Sequence, residues 1–209
     1  GMTVGVQLLP GLKGETWESI LETAIAVVKM KPDFVRIYPV LVIENTELAD
    51  QYRAGEYEPL STEQAITYCA FLKDWFERHN IEVIRTGLQS TEELDSGNSL
   101  VAGPYEPAMG ELVVNEQYKQ RIERCINEHI ESFIDKELSQ WNIWGQANTF
   151  IALNISVFYP RSLTSKVRGL KNRNMLYFQE KYPHLNINWY EDNTRNTVRC
   201  CIDGLQYVL

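Results

Sequence analysis

Five cations stand between Arg161 and Arg173 with no acid among them: Arg161, Lys166, Arg168, Lys171 and Arg173. A cluster of this sign and size suits phosphate. Gly169, inside Lys166-Val167-Arg168-Gly169-Leu170-Lys171-Asn172, lets a backbone pass close to an anion, and Ser162, Thr164, Ser165, Asn172 and Asn174 add donors around it. The plain alternative is a solvated helix face, and the residues alone leave both readings open.

The remaining chemistry-bearing types read more blandly. Cys69, Cys125, Cys200 and Cys201 form no CxxC, no CxxxCxxC and no Cys/His pair at zinc spacing, so metal binding has no support in their pattern. Cys69 and Cys125 fall in helical patterns as small buried hydrophobes. Cys200 and Cys201, adjacent in a strand, point to opposite faces and are poor partners for each other. His79, His129 and His184 sit at helix ends or on polar helix faces, where solvent exposure is expected. Glu92-Glu93 and Glu191-Asp192 read as solvated charge. No Ser/His/Asp or Cys/His arrangement emerges, and no catalytic residue is assigned.

The elements that must carry these residues can be read from periodicity and punctuation. Val4 to Leu9 is a short apolar strand leading into the turn Pro10-Gly11-Leu12-Lys13-Gly14. Thr16 caps a helix in which Trp17, Ile20, Leu21, Ala24, Val27 and Val28 recur at helical spacing until Lys31-Pro32. Phe34 to Ile43 is a nearly unbroken apolar run, expected to be one strand buried on both faces. Asn45 to Leu48 reads as linker. Ser61 and Gln64 have capping-box spacing and open a second helix that ends near His79-Asn80, and Ile81 to Thr86 follows as a strand. Strand, helix, strand, helix, strand is a parallel-sheet signature, with both helices expected on one side. Gly87 to Gly110 has loop composition and is expected to build no core.

Glu116 to Leu138 reads as an amphipathic helix with Tyr118, Ile122, Cys125, Ile126, Ile130, Phe133 and Ile134 inward, and Trp141 to Asn148 as a hinge. From Phe150 to Phe158, Ile151, Leu153, Ile155 and Val157 alternate with Ala152, Asn154 and Ser156. A helical stretch over 161–181, a short strand over Ile187–Tyr190 and one or two strands around Asp203-Gly204 complete a β-α-β-β unit.

With 209 residues and 44% hydrophobic content, the chain has enough apolar surface for one large or two small packed domains. It contains no apolar run of about 18 residues and no secretion signal at its start, and is expected to be cytoplasmic and off the membrane. Gly1 before Met2 reads as a residue left by tag removal, so the encoded chain is expected to begin at Met2 as a complete short reading frame. Net charge is −8, yet residues 146–209 carry eight Lys or Arg against four acids, leaving −12 on residues 1–145. This reversal favours separate domains, set at 1–113, 114–145 (helix and hinge) and 146–209.

Three segments carry a family resemblance. They are Val6-Gln7-Leu8-Leu9-Pro10-Gly11-Leu12-Lys13-Gly14-Glu15-Thr16; then Phe34-Val35-Arg36-Ile37-Tyr38-Pro39-Val40-Leu41-Val42-Ile43 with Thr46-Glu47-Leu48; then Tyr52-Arg53-Ala54-Gly55-Glu56-Tyr57-Glu58-Pro59-Leu60-Ser61. In order and spacing they resemble the radical S-adenosylmethionine (radical SAM) proteins grouped with the catalytic subunit of Elongator and with oxygen-independent coproporphyrinogen III oxidase. Arg85-Thr86-Gly87-Leu88-Gln89 and the stretch from Val101 to Val113 extend the likeness. Lys13 replaces a second proline, and Glu106 stands where many relatives carry histidine.

The resemblance implies an α/β fold: a partial (β/α) barrel made of the last strands of a radical SAM barrel, followed by a helix and a small α+β domain. It also implies that the CxxxCxxC half is missing. That half binds [4Fe–4S] and S-adenosylmethionine in intact relatives, so this chain alone is expected to bind no cofactor. By position, Gln7, Leu9, Tyr38 and Pro39 would line the cofactor pocket, although Leu9 and Tyr38 also suit a plain core. Gln7 and Arg36 are polar residues in apolar strands and need partners if buried. The expected function is a C-terminal fragment or subunit of a radical SAM oxidoreductase, not competent alone. A separate N-terminal half-barrel chain or a second copy would complete it. The alternative is a non-enzymatic RNA-binding or adaptor module acting through the basic tail. There the lone-glycine turn resembles KH-type modules, with Asn172 in place of the second glycine of GxxG.

Overall fold

An edge strand, β1 (Gly5–Leu8), leads through the Pro10–Gly14 turn to α1 (Trp17–Met30). Thr16 accepts from the Ser19 N–H while Ser19 reaches back to the Thr16 N–H, a reciprocal cap worth about 1 kcal/mol. Lys31, in the left-handed region at φ 50, closes the helix. β2 (Phe34–Ile37) pairs parallel with β1, and there the expected long strand breaks. Pro39 has no N–H to donate, and the chain re-forms as β3 (Val42–Ile43) outside the parallel sheet. Nor is β2 buried on both faces: Val35 and Ile37 are buried, Arg36 is exposed and Phe34 half-buried.

The stretch read as linker starts a helix instead. Thr46 caps α2 (Glu47–Arg53) by accepting from the Ala49 N–H at 3.2 Å. The expected capping box between Ser61 and Gln64 opens α3 (Thr62–Arg78), and β4 (Glu82–Thr86) adds to β2 in parallel, giving the sheet order β1-β2-β4. Ile20, Ala24 and Val27 of α1 join Cys69, Leu72 and Phe76 of α3 in one core with Leu8, Val35 and Ile37. Both helices therefore cover the same sheet face, as right-handed crossovers require. Each large apolar side chain buried there contributes about 1.5–3 kcal/mol.

The segment expected to build no core does so in part. After α4 (Glu92–Asp95), β5 (Leu100–Ala102) pairs antiparallel with β3, and Val101 and Ala102 pack on a small cluster of Val42, Ala49 and Tyr57.

The computed structural model describes residues 1–89, 91–97, 99–140 and 153–209, which divide into the units Gly1–Gln117 and Tyr118–Leu209. Asn98, the side chains of Phe133 and Ile134, the hinge at 141–148 and the strand residues 150–152 lie outside the described residues. The long helix α5 (Met109–Gln140) contributes to both units. In the second unit it is followed by β6 (Asn154–Tyr159), α6 (Thr164–Arg168), α7 (Arg173–Lys181), β7 (Asn186–Glu191), β8 (Arg199–Ile202) and β9 (Leu205–Val208). The sheet order is β7-β6-β8-β9, with β6 and β7 parallel and the other pairs antiparallel. Asp203 and Gly204, at φ 46 and 87, make the tight β8–β9 turn. Leu153, Ile155, Val157 and Tyr159 alternate inward and meet Ile122 and Ile126 of α5, Val167 of α6 and Phe178 of α7. All three helices thus share one face of this sheet. Among the described residues, no helix is long and apolar enough to cross a membrane.

Candidate nucleic-acid interface

The five cations lie on the crossover between the parallel strands β6 and β7. This is not one helix but two short ones broken at Gly169. Gly169 adopts φ 74 and ψ 163, a combination essentially confined to glycine. A Cβ there would also lie 3.0 Å from the Asn174 Oδ1 and 3.2 Å from its backbone N. Asn174 is itself buried and donates from Nδ2 to the Val167 carbonyl at 3.0 Å, which ties α7 back to α6. Lys171 and Asn172 follow in the left-handed region at φ 52 and 61. Two such residues in succession are unusual for non-glycines, and asparagine is among the few that tolerate it. Asn172 therefore supplies the backbone shape that a second glycine would.

Arg161, Lys166, Lys171 and Arg173 are exposed. Lys166 is on α6, Lys171 and Arg173 flank Asn172 at the start of α7, and Arg161 opens the crossover, its N–H donating to Asn193 Oδ1 at 2.8 Å. Arg168 is different. Its guanidinium lies over the Tyr159 ring at 5.5 Å and donates to the Tyr159 hydroxyl, so it is held against the core. Four of the predicted cations face water on the turn and its flanks, and the fifth does structural work.

The outer face of the same sheet holds residues that sequence reasoning missed. Phe158 and Tyr190, register partners on β6 and β7, stack with centroids 5.3 Å apart. Arg199, the partner of Phe158 on β8, places its guanidinium 5.3 Å from the Phe158 centroid, and Asp192 pairs with it. Arg199 Nε is buried without a hydrogen-bond partner among the described residues. Asn188, Ser156, Cys201 and Gln206 form the next row. The strand alternation that identified the inner face also implied this outer set.

His129 corrects an expectation of exposure: it is buried, with Nδ1 3.1 Å from the Tyr207 hydroxyl and Nε2 4.0 Å from Asp203 Oδ2. Its partners come from the β8–β9 hairpin, some 78 residues away.

In the first unit, Gln7 and Leu9 line a groove of about 230 Å³ along the outer edge of β1, together with Val6, Pro10, Ile20 and Val27. Pro39 lines a separate crevice with Leu41, Gly87 and Met109, and Tyr38 lines neither. The backbone N–H of Tyr38 donates to the Leu8 carbonyl at 2.9 Å. Gln7 and Arg36 are exposed, so neither needs an internal partner. The groove falls below the roughly 300–1,000 Å³ of small-molecule sites. The thiols do not fit a three-thiolate cluster either. Burial pushes Cys69 up to about 12, Cys125 to about 11 and Cys200 to about 12, and the first lies in a different unit from the other two. No step through an iron–sulfur group follows from these residues.

Residues 32–120 match the Radical_SAM C-terminal domain. A tRNA uridine(34) acetyltransferase of Methanocaldococcus jannaschii is 32% identical over 130 residues, 60% of this chain and 23% of that protein. The protein of the same name from Methanocaldococcus infernus is 30% identical over the same coverage. An uncharacterized protein of M. jannaschii is 36% identical over 74 residues. Among solved structures, an archaeal M. infernus Elp3 with an N-terminus deletion shows 29% identity and a TM-score of 0.46, covering 57% of this chain and 27% of that one. The chain spans about a quarter of the length of the curated relatives it matches, 23% in each case.

Proposed function

We propose, for a chain whose residues 32–120 are related to the radical SAM C-terminal domain, that it serves a transfer-RNA-modifying radical SAM activity in the cytoplasm as its RNA-gripping, cluster-free portion. The observation that carries this reading is the β6–α6–turn–α7–β7 frame. It holds Gly169, Lys171 and Asn172 in left-handed or glycine-only backbone conformations that would let an anion approach the main chain, with Arg161, Lys166, Lys171 and Arg173 on the same crossover. KH-type modules clamp backbone nucleotides with a turn in this position. The activity for which the relatives are named, acetylation of a transfer-RNA uridine, supplies the substrate class.

In this reading β1, β2 and β4 are the last strands of a barrel. The free edge of β1 receives the remaining strands, from another segment, a separate chain or a second copy, because parallel sheets seldom stand with bare edges. Chemistry then depends on thiolates from elsewhere.

Fluorescence anisotropy with transfer RNA across a salt series tests the RNA reading. Binding should weaken steeply with salt, and Lys171→Gln and Arg173→Gln should each lower the log–log slope by about 1. No binding, or binding indifferent to salt, ends the proposal. Reconstitution with iron, sulfide and S-adenosylmethionine tests the second half: a cluster spectrum or cofactor cleavage by this chain alone would overturn it.

A further inference from the structure

The parallel sheet of residues 1–117 sets two arginines side by side. Arg36 of β2 and Arg85 of β4 are register partners, and Gln7 of β1 is the partner of Arg36, so the three cross the sheet in one row. All three are exposed. Val35 and Ile37 turn into the core that α1 and α3 cover, so the row belongs to the opposite face.

A bulge creates the juxtaposition. The ladder runs Val35↔Val83 and then Arg36↔Arg85, leaving Ile84 as the extra residue on β4. In an unbroken ladder Ile84 would stand opposite Arg36, and Arg85 would turn to the other face. Neighbouring strands lie about 4.8 Å apart, and like charges directly opposite destabilise a sheet. The partners of both arginines are neutral: Arg36 lies 5.3 Å from the Phe34 centroid, and Arg85 Nη1 donates to Gln89 Oε1 at 2.9 Å. No carboxylate pairs with either arginine among the described residues. The row also lies near the carboxyl ends of its strands, where open α/β sheets bind ligands.

We propose that Arg36, Arg85 and Gln7 form a phosphate-binding site. Each guanidinium offers a planar fork to an oxyanion, and the Gln7 amide adds a neutral donor. Two fixed positive charges match a phosphate dianion and leave a carboxylate one charge short. The site stands on residues 1–117 and does not rest on the RNA reading, which stands on the second unit.

The test titrates inorganic phosphate, and separately acetate, into the full chain at constant ionic strength, and follows arginine Nε–H signals by NMR. The signals lost in Arg36→Gln and Arg85→Gln identify the two residues; Arg36→Lys and Arg85→Lys serve if either glutamine variant fails to fold. Phosphate should shift both signals saturably, acetate at least about tenfold more weakly by the charge argument; each glutamine variant should abolish the response of the remaining arginine, and each lysine variant, which keeps the charge and loses the fork, should weaken it. Lys171→Gln should leave the response intact. A linear, non-saturating shift overturns the site, as does an Arg36 response that survives Arg85→Gln. Equal saturable responses to acetate and phosphate overturn the choice of phosphate. A chain that shows this response but binds no transfer RNA keeps the site and loses the function proposed above.

Discussion

The Tyr182 hydroxyl donates to the Glu123 carboxylate at 3.0 Å, across 59 residues of sequence. Tyr177 donates to the same oxygen at 2.9 Å, and Lys181 forms an ion pair with it, so one carboxylate on α5 gathers three groups from α7 and its end. Burial pushes Glu123 up, but the hydrogen bonds from Lys181, Tyr177 and Tyr182 outweigh it and hold the carboxyl below its ordinary range. The same contact, after burial, helps push Tyr182 up to about 12.

A depressed folded-state value means that Glu123 stabilises the folded unit fully above the unfolded glutamate value of about 4.3, and that this contribution is lost as pH falls through the folded value. Urea unfolding at neutral pH should show Glu123→Gln destabilised by about 1–3 kcal/mol. The gap between variant and wild type should close as the pH is lowered below about 4. A gap that persists at acid pH would show that the carboxylate's charge is not what matters.

Gly169→Ala should destabilise the second unit by about 1–3 kcal/mol, because alanine resists φ 74 with ψ 163 and its Cβ would press on Asn174. Thermal unfolding followed by circular dichroism reads this directly, and an unchanged midpoint would mean the turn relaxes at no cost.

Alkylation of the native chain should mark Cys201 well before the other cysteines. Cys69, Cys125 and Cys200 are buried and their thiols are pushed well above neutral, whereas Cys201 is half-buried on the outer sheet face. Timed iodoacetamide labelling with mass spectrometry checks the order, and early labelling of Cys69 would contradict the packing of α3.

Tyr190→Ala should weaken binding to single-stranded RNA by about 1–3 kcal/mol, the usual worth of one stacked base, and leave the salt slope unchanged. Tyr190 is 46% exposed and already stacked on Phe158, so it offers a ready aromatic face. The control is a duplex of the same length, whose bases cannot stack on the sheet; equal losses on both would point to a structural effect of the substitution.

Local chemistry carried much of the fold in plain view. The caps at Thr16 and Ser61, the helical spacing of α1, α3 and α5, and the inward alternation of Leu153, Ile155 and Val157 depend on neighbours a few residues apart, and the structure keeps them. The break at Pro39 was equally local, yet the apolar run on either side of it hid where β2 ends and β3 begins. Thr46 before Glu47 was a cap that loop-like surroundings disguised.

The phosphate-suited composition of the crossover, the poor metal-binding prospects of the four cysteines and the parallel βαβ order were therefore set by the sequence itself, through residue type and short spacing. Which cations face water, how Phe158, Tyr190 and Arg199 come into one row, and that His129 is buried under Tyr207 were decided only in three dimensions. The pairing of Arg36 with Arg85 belongs with these. It depends on strand register, and register is set by long-range packing in which one extra residue, Ile84, changes the side chain that stands opposite its neighbour.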